Sequence, residues 1–114
     1  MSIELKVYGH IYPASLDLEH DLQKALEQAI QDEISNDVPL LERDNDIIRI
    51  SFEGIYFPID DVVEVLEKHL TPQHQGKLDV LDLYEWTLTR YTFVQCKLQS
   101  NQRSLNHVLD YSGF

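Results

Sequence analysis

The sequence predicts an α+β fold. Two main helices pack on one face of a mainly antiparallel sheet of four to five strands, with a ferredoxin-like, split β-α-β arrangement favoured. Three observations carry this expectation. Two segments alternate apolar and polar residues at period two. Two others repeat apolar residues at three- and four-residue steps. Pro and Gly punctuate the junctions between them. The chain of 114 residues suits one globular domain over 1–114, long enough to bury one core.

Residues 3–12 form the first strand. Ile3, Leu5, Val7 and Ile11 share one side, and Glu4, Lys6, Tyr8, His10 and Tyr12 the other. Gly9 falls on the apolar side, where it signals a bulge or the close approach of another backbone; Pro13 ends the strand. Residues 16–35 form the first helix, with Leu18, Leu22, Ala25, Leu26, Ala29, Ile30 and Ile34 in one stripe. Ser15 or Asp17 caps it, and Asp17 and Glu19 sit where the helix dipole favours negative charge. Asn36 and Pro39 mark the exit. A short extra strand is read within 38–43, with Arg43, Asp44, Asn45 and Asp46 turning the chain.

Residues 46–57 carry the second strong strand, in which Ile48, Ile50 and Phe52 alternate with Arg49, Ser51 and Glu53. Pro58 stops it. Asp60 and Asp61 open a second helix whose apolar side is Val62, Val63, Leu66 and Leu70. The two strand-to-helix units echo each other, Gly9 and Pro13 answering Gly54 and Pro58. The plainer reading is that such turns commonly use Gly and Pro. After the loop at 71–76, residues 78–98 contain no Gly or Pro and are rich in strand formers from Trp86 to Val94. One strand of that length would be unusual, so a bend or hairpin is expected near Tyr84 and Glu85. Ser104 caps a last short helix through Asn106, His107, Val108 and Leu109. If residues 38–43 are not a strand, a β-α-β-α-β-β sheet is the alternative.

The chemistry-bearing residues read mostly as structural. The lone Cys96 excludes a disulfide scaffold, and its alternation with Val94 and Leu98 predicts a buried, inert thiol. His69 and His74 lack the paired N or S ligands of a zinc site, and His69 suits a helix C-terminus. His10 reads as a cross-strand partner on the polar side of the first strand. Asp79, Asp82 and Glu85 read as a solvated acidic surface. The turn at 44–46 lacks the Gly and the distant Glu of a calcium loop. Glycines at 9, 54, 76 and 113 permit neither a dinucleotide fingerprint nor a P-loop, and no serine stands in a nucleophile elbow. No catalytic residue, cofactor or metal is read, and a non-enzymatic protein is expected. No apolar run follows a basic start, and none approaches the roughly 18 residues that span a bilayer, so a cytoplasmic location is expected.

Charge supplies the functional expectation. The chain has 20 Asp and Glu against 9 Lys and Arg, a formal charge of −11, which disfavours direct binding to nucleic acid or to an anionic membrane. Residues 1–46 hold 11 acids and 3 bases (−8), residues 47–85 hold 8 and 3 (−5), and residues 86–114 hold 1 and 3 (+2). The leading expectation is a small module that engages a basic protein surface, in the manner of inhibitors, immunity proteins and nucleic-acid mimics as a class. Its candidate residues are Asp21, Glu27, Asp60, Asp61 and Glu64, with Tyr8, Tyr12 and Tyr56 as aromatic anchors. The partner could be a nucleic-acid-binding protein. The alternative is a ligand-binding or enzymatic pocket near His10, Tyr12, Tyr56 and Trp86. A homodimer through the near-neutral strand at 86–98 is a third.

Overall fold

Alternation at period two builds the sheet, and two amphipathic helices cover one side of it. The computed structural model describes residues 4–27 and 40–106. Its elements are β1 (Leu5–Tyr12), α1 (Leu16–Ala25), β2 (Leu41–Asp44), β3 (Ile47–Gly54), α2 (Ile59–His69), β4 (Gln75–Asp82), β5 (Thr87–Val94) and β6 (Lys97–Ser104). The strands form one sheet in the order β2-β3-β1-β4-β5-β6, and every neighbouring pair is antiparallel. The expected ferredoxin-like sheet of four to five strands is therefore corrected: six strands make the chain mainly β, though α+β overall.

The additional strand comes from the stretch after Trp86. The bend expected near Tyr84 and Glu85 is a hairpin turn between β4 and β5, in which the Asp82 carboxylate accepts hydrogen bonds from the Tyr84 and Glu85 backbone N–H groups at 3.0 and 2.9 Å. A second hairpin turns at Gln95 and Cys96, whose φ angles of 55° and 68° both lie in the left-handed region. Such angles at both central residues are those of a tight hairpin that matches strand twist. Cys96 is thus exposed at a turn, and the expected buried thiol is corrected. β6 has a single aliphatic residue, Leu98, among polar neighbours, so its strand conformation comes from pairing with β5 rather than from its own pattern. Only the start of the expected final helix, at Leu105 and Asn106, is described; residues 107–114 lie outside the described part, as do residues 28–39. The continuation of the first helix to 35 and the start of the short strand fall there too.

Register aligns the apolar residues. Val7 is opposite Phe52 and Val80, Ile11 opposite Ile48, and Leu78 opposite Tyr91. Leu18, Leu22 and Leu26 from the first helical segment, with Val62 and Leu66 from α2, join them in one core. Each such side chain, fully buried, contributes about 1.5–3 kcal/mol. Ser15 is the N-cap of α1, its Oγ accepting the Leu18 N–H at 3.2 Å. Gly9 forms no bulge, because register runs unbroken through it. A Cβ there would lie 2.6 Å from the Lys77 carbonyl oxygen, so the residue answers to the close approach of β4. Gly9 is mid-strand whereas Gly54 ends β3, so the echo between the two units is not one of matching position.

Candidate functional site

The antiparallel sheet separates two surfaces of different chemistry. On the covered side, α1 with Glu27 and α2 carry eight carboxylates (Asp17, Glu19, Asp21, Glu27, Asp60, Asp61, Glu64 and Glu67) against Lys24 and Lys68. A shallow groove of about 380 Å³ between the helices is lined by Asp21, Lys24, Ala25, Asp61, Glu64, Val65 and Lys68. The helices are tied by His69 Nε2 and Asp21 Oδ2 at 2.6 Å, and this bond holds the Asp21 carboxyl below the usual carboxylate range. Arg43 of β2 approaches Glu19 at 3.7 Å. Asp60 and Asp61 occupy the first turn of α2, where no side chain caps the helix and the dipole stabilises negative charge. A negative charge at Asp60 also raises the Tyr91 hydroxyl, after the larger effect of burial.

On the other side no helix among the described residues covers the sheet. Alternation sends Lys6, Tyr8, His10 and Tyr12 of β1 outward, in line with Glu53, Ser51 and Arg49 of β3 and with Leu81, Asp79, Lys77 and Gln75 of β4. Arg90, Lys97 and Arg103 follow on β5 and β6. Six of the 9 Lys and Arg residues of the chain therefore stand on the open face: Lys6, Arg49, Lys77, Arg90, Lys97 and Arg103. Its carboxylates are Glu42 and Asp44 on the edge strand β2, with Glu53 and Asp79 further in. Asp79 receives a two-pronged hydrogen bond from Arg90 at 2.7 and 3.0 Å, and Glu53 accepts the Tyr8 hydroxyl at 2.7 Å. Burial and then this bond push the Tyr8 hydroxyl up to about 12.

The expected site residues divide between these surfaces. Asp21, Glu27, Asp60, Asp61 and Glu64 belong to the helical layer, and Asp21, Asp61 and Glu64 line its groove. Tyr56 is exposed in the loop that leads into α2, shortly before Asp60. Tyr8 and Tyr12 stand on the open face, away from the acidic helices, so they are not anchors beside those carboxylates. The signal that separates them was period two: both share alternation phase with Lys6 and His10, not with Val7 and Ile11.

The alternative pocket is not assembled. Trp86 precedes Thr87, which aligns through Asp82 with Leu5 at the start of β1, and Tyr56 follows Gly54 at that same end. Tyr12 closes the other end of β1, about 23 Å away at roughly 3.3 Å per residue. Trp86 instead donates its indole N–H to Asn106 Oδ1 at 2.9 Å. Nor do residues 86–98 form a free sheet edge: β5 is paired on both sides, by β4 and β6. His74, almost buried, accepts the Thr71 N–H on Nδ1 at 3.0 Å and so closes the loop after α2. Among the described residues no group of three or more His, Cys, Asp or Glu side chains is placed to hold a metal ion, and no helix is long and apolar enough to cross a membrane. No known protein family, curated protein or solved structure matches this chain.

Proposed function

We propose that this chain is a non-enzymatic binding module that engages a basic protein surface through the layer formed by α1 and α2. The observation that supports this reading is the concentration of eight carboxylates against two lysines on adjacent helices; Asp21, Asp61 and Glu64, with both lysines, line the groove between them. Asp60, Asp61, Glu64 and Glu27 are exposed, so each can meet a cation without first breaking an interior contact. Such a surface speeds encounter with a basic protein and fixes its orientation more than it adds raw affinity. Tyr56, exposed beside the start of α2, is the aromatic residue best placed to add buried area. An inhibitor or immunity-type role, in which the acidic layer occupies the basic groove of a nucleic-acid-binding protein, is the specific form of this reading.

The test is capture of partners from an extract of the source cell at about 50 and about 200 mM salt. The immobilised wild type is compared with a triple variant, Asp60→Lys, Asp61→Lys and Glu64→Lys. Basic proteins retained by the wild type at low salt, and lost both at higher salt and with the variant, would agree with the proposal. A retained set that ignores salt and charge reversal would contradict it.

A further inference from the structure

We infer that the open face of the sheet binds single-stranded nucleic acid, with phosphates held by Arg49, His10 and Lys77 and bases stacked on the rings of β1. The inference does not rest on the helical layer and concerns the opposite side of the sheet. In register, His10 lies directly between Arg49 of β3 and Lys77 of β4. Two cations, Arg49 and Lys77, thus flank the His10 imidazole across three neighbouring strands, with no carboxylate between them. The inner carboxylates of this face are already engaged, Asp79 by Arg90 and Glu53 by Tyr8 with Lys6 at 3.9 Å. Glu42 is the cross-strand neighbour of Arg49 on the outer side, at the sheet edge. The row crosses a shallow depression of about 340 Å³ whose lining includes Tyr8, His10, Arg49, Ser51, Lys77 and the Asp79 carboxylate that Arg90 holds.

The rings supply the second half of the argument. Tyr8, His10 and Tyr12 stand on one side of one strand at two-residue steps, about 6.6 Å apart. Tyr8 and Tyr12 are 38 % and 39 % exposed, a large accessible fraction for aromatic residues of a sheet interior. A cationic row crossed by a line of exposed rings matches a strand whose backbone is anionic and whose splayed bases have flat faces. A duplex hides those faces. The net charge of −11 does not forbid this, since the helical carboxylates lie on the far side of the sheet. Their field fades within about 8–10 Å at physiological ionic strength.

The test is fluorescence anisotropy with a labelled oligouridine of about 15 nucleotides. Saturable binding is expected at about 100 mM salt. With two phosphates neutralised by Arg49 and Lys77 and a log–log slope of about −0.7 for each, affinity should fall roughly fivefold by about 300 mM. The pair Arg49→Glu and Lys77→Glu should weaken binding at least about tenfold. Tyr12→Ala should weaken it at least about fivefold, whereas Tyr12→Phe, which keeps the ring, should not. Asp61→Lys with Glu64→Lys should leave it unchanged or tighter. Circular dichroism melts establish that each variant is folded. The inference is overturned by no binding at tens of micromolar. It is overturned equally by Tyr12→Ala binding as wild type, or by a duplex of the same sequence binding as well as the single strand. Low-salt self-association abolished by the same cation reversals would also overturn it, because the acidic helices of a second copy would then be the occupant.

Discussion

On the covered side of the sheet β1 presents Val7 and Ile11, at 0 % and 1 % exposure; on the open side the same strand presents Tyr8 and Tyr12, at 38 % and 39 %. The difference follows from alternation alone, and it continues into β3 and β4, where Phe52 and Leu78 are buried while Arg49 and Lys77 face outward. The covered side carries the stability of the fold and bears an acidic helical layer on its outer surface. The open side carries little of the core and two-thirds of the chain's cations, 6 of 9. A single acidic formal charge thus conceals two surfaces of different charge.

Substitutions should separate the two sides, and the largest effect is expected in the core. Phe52 is 2 % exposed and tilted against Phe57 with ring centroids 5.3 Å apart. Phe52→Ala should cost about 3–5 kcal/mol in denaturant unfolding. Ser51→Ala, one residue away on the open face, should stay within about 0.5 kcal/mol. Comparable losses at both positions would erase the distinction.

The centre of the sheet is the next test. A Cβ at Gly76 would collide with the His10 carbonyl oxygen, and one at Gly9 with the Lys77 carbonyl oxygen at 2.6 Å. Gly9→Ala should therefore lose about 1–3 kcal/mol of stability, measured by urea titration. Asp79→Asn, which disrupts the two-pronged contact with Arg90, should lower stability by about 1–2 kcal/mol. It should also strengthen oligonucleotide binding on the open face, an effect no core substitution would produce.

Smaller effects are expected at the margins. Cys96→Gly removes a side chain from a φ of 68° and should raise stability by about 0.5–1 kcal/mol in a thermal melt. The Asp21 carboxyl, whose titration lies below its ordinary 3.8 because of the His69 bond, contributes stability that is present above that ordinary value. This contribution is lost as pH falls through the lowered folded value. In His69→Ala, the Asp21 titration followed by carbon-detected NMR should move back up toward 3.8, and the pH dependence of stability in that acid window should flatten.

Much of this was legible where pattern and structure share one cause. β1 and β3 alternate because one of their faces is buried, and α2 repeats at helical steps because it lies on that face. β6 was not legible, since its polar sequence, relieved by Leu98 alone, holds strand geometry through hydrogen bonds to β5. The exposure of Cys96 was not legible, since the alternation of Val94, Cys96 and Leu98 is broken at Gln95 and Cys96, where left-handed backbone angles reverse the chain. The cationic face was hidden by summing charge along segments. Residues 47–85 total −5, yet Arg49 and Lys77 within them share one phase of alternation with His10. Assigning each charge to a face of its strand would have found the row.

The most direct test of this two-sided account is an amide chemical-shift map of the intact chain, titrated in turn with a lysine-rich peptide and with single-stranded oligouridine. The account predicts separate maps: the peptide shifts α1, α2 and the loop at Tyr56, and the oligonucleotide shifts β1, β3 and β4 around His10, Arg49 and Lys77. Overlapping maps, or an oligonucleotide that shifts only the helices, would contradict it.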